Sequence, residues 1–383
     1  MIKITQIILF LTLIFSLSLE KAFTEEKIKI GLLVPLTGKN SEIGQSIIRS
    51  TRLAINQINN LSIEIIPKDS GSSPDITLRS AKELSKQGVK IVIGPVFNEN
   101  LIHLNELSEL TFLSLTNMND NRSKNIINAG INATSQLNAI KKFIKINKIK
   151  KTIFLTPNVN YKNEVKKAIS NSKIKIMENY IYDADPTKLT KQIEKITNYE
   201  NRKQNLKDEI KRLEESDLNN KEQLIEKLNK KDTLGKVGFE AIIISDYDER
   251  LKSVTTSLLY TDVSPNETYF ITLNQWFDKS LLREISSQPL YFPSANKANY
   301  DNFSNEYFKK YNEYSNPLSF LSFDLVGLVY YLILQNNYIV DEKLFNKKTL
   351  FQGKVGIFEI KDNKINHILN FYKIENKKFK KIF

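Results

Sequence analysis

The sequence predicts an α/β protein of two doubly wound parallel-sheet lobes, with a helical hairpin inserted in the second. Three observations predict it. From residue 28 to residue 115, short apolar runs that read as strands alternate with amphipathic stretches that read as helices. That rhythm implies a parallel sheet with helices on both faces and right-handed crossovers. It restarts after a helix at 134–147, which implies a second lobe. Between Thr187 and Leu234 it stops, and that stretch holds neither glycine nor proline.

The elements follow in order. Residues 28–34 form an apolar strand that runs into Pro35, a turn at Thr37-Gly38 and a second turn at 41–44. A helix over 45–59 places Ile47, Ile48, Ala54, Ile55 and Ile58 at roughly helical spacing. A strand at 62–67 leads to the turn formers of 69–74, and a helix at 75–87 stops at Gly88. The strand 89–93 ends at Gly94-Pro95, a helix covers 100–110, and a strand covers 111–115. In the second lobe, strands are expected at 151–155, 173–180, 239–245, 268–273 and 289–292, with a helix at 162–170. Helices at 299–314 and 318–335 follow, and the chain closes on an antiparallel hairpin, 356–360 with 367–374, over Asp362-Asn363. In sheets of this kind ligands bind at the carboxyl ends of the strands.

In the interruption, Ile193, Ile196, Leu206, Ile210 and Leu213 recur at three-to-four spacing or its multiples. Ser216-Asp217 breaks the run, and Leu224, Ile225 and Leu228 resume it among lysines and glutamates. A narrow apolar seam of this kind reads as a helical hairpin, either packed on itself or offered to a partner protein.

Composition narrows the function. The chain has 383 residues, 41% hydrophobic and 10% aromatic, ample for a buried core. It has no cysteine, which removes disulfides, thiolate metal sites, a cysteine nucleophile and lipid attachment through cysteine. Its only histidines are His103 and His367, so no metal site is expected. No GxSxG, GxGxxG or phosphate-binding loop is present, so no catalytic residue and no cofactor are expected. Net charge is +13, but the lysines are dispersed and no nucleic-acid motif accompanies them. Dispersed charge reads as a solvated surface, without a nucleic-acid partner.

The N-terminus bears on the compartment. Lys3 precedes an apolar run at 7–19, and Ala22-Phe23-Thr24 precedes two glutamates. This reads as a signal peptide over residues 1–24 and export to the periplasm, since a bilayer span needs about 20 apolar residues. An uncleaved anchor is the alternative. The later apolar run 326–334 reads as a buried helix face too short to span.

PLTGKNSEIG, KDSGSSP, VKIVIGPVFNEN, TFLSLTN, Tyr161 within TPNVNYKNEV, and SFDLVGLVYYL occur in this order. By their order and spacing the chain, from about residue 28 to its end, resembles the type I periplasmic solute-binding proteins, nearest the leucine/isoleucine/valine-binding branch. The resemblance implies a first lobe of 28–135 plus 278–355, a second of 136–277 plus 356–383, and a hairpin insertion at 187–234. It implies an inter-lobe cleft for an amino acid or similar small ligand. The implied ligand-binding residues are Phe97, Asn98, Thr116, Asn117, Asn119, Tyr161, Asp246 and Trp276. Departures are visible: Phe97 and Met118 stand where polar residues are expected, and Ile43 where an aromatic often sits. The acid that often holds the ligand's ammonium is replaced within Leu273-Asn274-Gln275-Trp276, and Asp246 is the expected substitute.

A narrower resemblance, through NYENRKQNLKDEIKRLEE, KDTLGKVGFEAIIISD and LLYTDVSPNETYFITLNQWFD, is to penicillin-binding protein activators. Two functions are therefore carried forward. One is capture of a small polar solute for an ABC permease. The other is a non-transport envelope regulator that contacts a peptidoglycan synthase.

Overall fold

The computed structural model describes residues 27–59, 63–118, 123–341 and 343–383. The expected leader, residues 1–24, and the expected site residue Asn119 lie outside the described residues.

The first sheet is built from β1 (Ile28–Val34), β2 (Ile63–Asp69), β3 (Ile91–Ile93), β4 (Thr111–Ser114) and β5 (Ile126–Asn128). Their order is β2-β1-β3-β4-β5 and every pairing is parallel. Helices α1 (Ser41–Ile58) and α2 (Pro74–Lys86) make the first two crossovers. In β1, Ile30, Leu32 and Val34 face one core with Ile47 of α1, while Leu33 faces a second with Leu84 of α2. This two-sided burial is why the strand reads as a continuous apolar run from Ile30 onward.

Three expectations are corrected in this lobe. Helix α1 begins at Ser41, so the expected second turn is its first turn. The segment expected as a helix at 100–110 forms two 3-10 turns, Asn98–Leu101 and Leu104–Glu106. Leu101, Leu104, Leu107 and Leu110 are all buried, and a repeat of three suits the three-residue turn of a 3-10 helix. Strand β5 was not foreseen.

The second sheet contains β6 (Thr152–Pro157), β7 (Glu178–Tyr182), β8 (Ala241–Ile244), β9 (Tyr269–Thr272), β10 (Leu290–Ser294), β14 (Asn370–Glu375) and β15 (Lys378–Lys381). The order is β15-β14-β10-β9-β8-β6-β7, with β14 and β15 antiparallel additions at one edge. One face is covered by α3 (Ala133–Ile146) and α4 (Lys162–Ser172). The other is covered by α5 (Pro186–Ile196), through Leu189 and Ile193, and by α8 (Asp248–Tyr260), through Leu251, Val254 and Leu258. Helix α5 is thus a covering helix of the lobe, although it falls inside the expected insertion. The hairpin itself is α6 (Tyr199–Glu214) with α7 (Lys221–Leu228). Its base is pinned by buried Arg202, whose guanidinium donates to the carbonyls of Thr197 and Thr261 and to the Thr233 hydroxyl.

Helices α9 (Lys297–Tyr311) and α10 (Pro317–Gln335) return to the first lobe and pack on α1. The return was expected at residue 278, but β10 pairs with β9 and β14, so it falls after Ser294. Helix α10 is long and apolar enough to cross a membrane by length and composition, contrary to the shorter apolar run expected; 67% of that stretch is buried inside the protein. Its start is tied to α1 by polar bonds: the Ser46 and Ser319 hydroxyls lie 2.7 Å apart, and the Tyr307 hydroxyl donates to Ser46 at 3.2 Å.

The expected closing hairpin is also corrected. β11 (Thr349–Gln352), β12 (Ile357–Lys361) and β13 (Lys364–His367) form a separate antiparallel sheet, and the chain then changes sheets to enter β14. Between β11 and β12, buried Asp324 of α10 accepts the N–H groups of Lys354 at 2.7 Å, Val355 at 3.1 Å and Gly356 at 2.8 Å. Gly353 permits this, because a Cβ there would lie 2.5 Å from the carboxylate. A single apolar core runs through both sheets, α3, α10 and this small sheet.

Candidate functional site

The carboxyl ends of the strands carry two sets of polar loops. On the first sheet, the loop after β1 and the loop after β2 are joined by Asp69. Its carboxylate accepts the N–H of Leu36 at 2.7 Å, the Thr37 hydroxyl at 2.6 Å and the N–H of Gly71 at 2.8 Å. Partial burial works to raise its pKa, but these hydrogen bonds outweigh that and hold the carboxyl below its usual range.

The loops after β3 and β4 are also joined, since the Ser114 hydroxyl and the Leu115 N–H both donate to the Pro95 carbonyl at 3.0 Å. Gly94 makes the approach possible with a φ of 110°, and a Cβ there would lie 2.1 Å from the Leu33 carbonyl oxygen. Four expected residues stand on these loops. Phe97 is half-buried against the core, Asn98 is half-buried, and Asn117 is exposed. Thr116 is buried, and its hydroxyl oxygen accepts the Met118 N–H at 3.2 Å. Ile43 is half-buried and packs on the same core.

On the second sheet the structure brings Tyr161 and Asp246 together. Asp246 follows β8 and has 0% exposure. Its Oδ1 receives Nε–H of Arg250 at 2.8 Å, the Tyr161 hydroxyl at 3.1 Å and the Tyr247 N–H at 3.2 Å; its Oδ2 receives the Tyr182 hydroxyl. Four donors thus surround the carboxylate, three on Oδ1 and one on Oδ2. Burial first, then the negative charge of Asp246, pushes the Tyr161 and Tyr182 hydroxyls well above the usual phenol range. The hydrogen bond to Asp246 raises the pKa of Arg250. Below Asp246, its carbonyl accepts the Gln275 side-chain amide at 3.4 Å.

Trp276 is not part of this cluster's hydrogen bonding. Its backbone N–H donates to Asn274 at 2.9 Å, and its ring packs edge-on against Phe320 of α10, 5.1 Å between centroids, where the two lobes meet. The sequence reading missed Arg250, Tyr182 and Tyr247. A signal was present in DYDERL, because Asp246 and Arg250 are four residues apart, a spacing that pairs side chains at a helix start.

His367 is buried, shares a 2.8 Å hydrogen bond with the Ala129 carbonyl and packs in a tilted pair with Phe358. Burial lowers its pKa to about 4, so the ring is neutral. Among the described residues no group of three or more acids and histidines has the geometry to hold a metal ion.

Two polar loop sets thus stand at the carboxyl ends of the parallel strands of two sheets, joined through a shared core. A protein-family model described as periplasmic binding protein matches residues 27–198. The chain has the fold of the type I periplasmic binding proteins. It is similar to a solute binding protein of an ABC transporter from Rhodopseudomonas palustris BisB5, in complex with 3,4-dihydroxybenzoic acid (16% identity, 91% of this chain and 92% of that one, TM-score 0.57). It is similar to the branched-chain amino acid transporter substrate binding protein LivJ from Streptococcus pneumoniae, in complex with isoleucine (16% identity, 92% and 98%, TM-score 0.56). It is also similar to the LpoA C-domain from Haemophilus influenzae, a regulator of PBP1A (14% identity, 93% and 100%, TM-score 0.61). At these identities the likeness is one of fold. No curated protein matches the chain.

Proposed function

We propose that this chain is a periplasmic solute-binding protein that captures a small polar ligand between its lobes and delivers it to an ABC permease. The observation that carries this reading is the cluster of Tyr161, Asp246 and Arg250 at the strand ends of the second sheet. It combines a buried acid, aromatic walls and a partly exposed cation, the furnishing of a pocket that orients a ligand by a few polar groups. The relatives in complex with isoleucine and with an aromatic acid support the same class of ligand. The test is thermal shift against a panel of amino acids and small carboxylates. A ligand at 100 times its dissociation constant adds about 2.7 kcal/mol of stability, and a panel with no stabilising member refutes the reading.

A second reading is a regulator of a peptidoglycan synthase that works by protein contact. It is favoured by the hairpin α6–α7, which lies outside both sheets and whose α7 has no buried residue, and by the likeness to the LpoA C-domain. Replacing residues 204–231 with a short Gly/Ser linker keeps Arg202 and Thr233, which fasten the hairpin base. Unchanged capture of a purified synthase by that variant removes this reading.

A further inference from the structure

The second lobe supplies its own cation at the place where an amino-acid site needs a free acceptor. A ligand ammonium carries three donors and no acceptor, so it requires open carboxylate or carbonyl oxygens. Two of the acids at the strand ends, Asp69 and Asp246, are committed to the protein. Asp69 is filled by Leu36, Thr37 and Gly71, and Asp246 by Arg250, Tyr161, Tyr182 and the Tyr247 N–H. Asp246 has no exposed surface through which an ammonium could reach it, and its charge is already matched.

Arg250 is different. Its Nε is on Asp246 and its Nη2 lies 3.5 Å from the Tyr161 hydroxyl, while Nη1 has no hydrogen-bond partner among the described residues. The side chain is 45% exposed. The outer edge of a guanidinium held in this way is a planar two-donor fork, the geometry that binds a carboxylate through two parallel hydrogen bonds. Asp246 and Tyr161 fix its orientation from behind. Beside it the rings of Tyr161 and Tyr247 meet edge-on, 6.3 Å between centroids, and offer an apolar wall.

We infer that the cleft selects a small carboxylic acid that lacks an α-ammonium group, with Arg250 as the residue that receives the carboxylate. The inference rests on the solute-binding reading and names its ligand class.

Matched pairs test it on the full chain: 3-phenylpropanoate against phenylalanine, and 4-methylpentanoate against leucine, by calorimetric titration. The members of each pair differ only in the ammonium. At least one deaminated acid is expected to bind ten times or more tighter than its amino acid. Arg250→Lys keeps a cation for Asp246 but loses the fork, and is expected to fold with an unchanged melting temperature and to lose ten-fold or more in affinity for that acid. Arg250→Gln is expected to lose as much or more. Arg212→Gln, on the exposed hairpin, is the control expected to leave binding unchanged. Tighter or equal binding of the amino acids overturns the inference and leaves the solute-binding reading standing, as does unchanged affinity in Arg250→Lys. Absence of binding by all four compounds overturns the inference; absence across the wider panel overturns the solute-binding reading as well.

Discussion

Asp246 and Asp324 are both buried carboxylates, at 0% and 1% exposure, and they are held in opposite ways. Asp246 is surrounded mostly by side chains: one guanidinium and two phenols, with a single backbone N–H. Asp324 is held by three successive backbone N–H groups, and the ammonium of Lys354 turns away to Glu306. Burial raises the Asp324 carboxyl to about 6, since the N–H groups offset only part of the desolvation. Side-chain partners can be exchanged or reoriented at a strand end that faces a ligand. Main-chain partners cannot, and they hold the strand connection β11–β12 on α10 in one geometry. The first arrangement suits recognition and the second suits a fixed crossing.

The comparison is broken most directly at the crossing. Asp324→Ala leaves three N–H groups without their acceptor, and a cost of about 3 kcal/mol or more is expected in urea unfolding. Gly353→Val, which forces a side chain onto the same carboxylate, should act in the same direction. Wild-type stability in either variant means that the crossing is not held there.

The pH dependence is next in size. His367 is lowered from 6.5 to about 4, so its contribution is complete above pH 6.5 and is lost as pH falls toward 4. Asp324 is raised from 3.8 to about 6, so its contribution is complete below pH 3.8 and is lost as pH rises toward 6. Each amounts to about 3 kcal/mol, and over the shared range they oppose each other. Wild type should therefore be nearly flat from pH 4 to 6. His367→Gln should lose stability as pH rises through that range, and Asp324→Asn should lose it as pH falls. Parallel profiles for the two variants contradict this assignment.

Asp246→Ala is expected to cost about 2 kcal/mol, less than Asp324→Ala, because the half-exposed Arg250 can turn to water and the Tyr161 hydroxyl keeps the Ser245 carbonyl, which leaves the Tyr182 hydroxyl and the Tyr247 N–H without their acceptor. Ligand affinity should fall with it, since Arg250 loses its orientation; a variant that binds normally shows that the cluster is only structural. The smallest effect is expected from the 204–231 linker variant, within about 1 kcal/mol of wild type, because the buried Leu206 and Leu213 it removes belong to neither lobe core and α7 has no buried residue.

Most of this fold is readable in the sequence because the central strands of both sheets are parallel and buried on both faces. Their strands announce themselves as apolar runs, as in IKIGLLV and AIII. What was not legible has identifiable causes. Helix α8 begins with Asp248, Glu249 and Arg250 and carries no strong apolar stripe ahead of Leu251, so neither the helix nor the place of Arg250 on it is legible in the sequence. The 3-10 turns at 98–106 share their leucines with a helical pattern. The switch of sheets between His367 and Asn370 leaves the alternation of apolar residues unbroken, so a hairpin in one sheet and two strands in different sheets look alike. At the site, residue types and their place at strand ends were legible, including Tyr161 and Asp246. That Asp246 is already occupied depends on Tyr182 and Arg250, which approach from two other elements, and only the assembled lobe reveals it.

The bond between Ser46 and Ser319 spans 273 positions of chain. Helix α1 belongs to the first crossover of the protein, yet one side of it stays uncovered until α10 has been delivered. The stretch 27–198 is therefore not an autonomous unit: a fragment ending there lacks the helix that seals its first sheet. Contacts of such long range close slowly, because the intervening chain must be ordered before they form. The first lobe is complete only when the last long helix of the chain has joined the first.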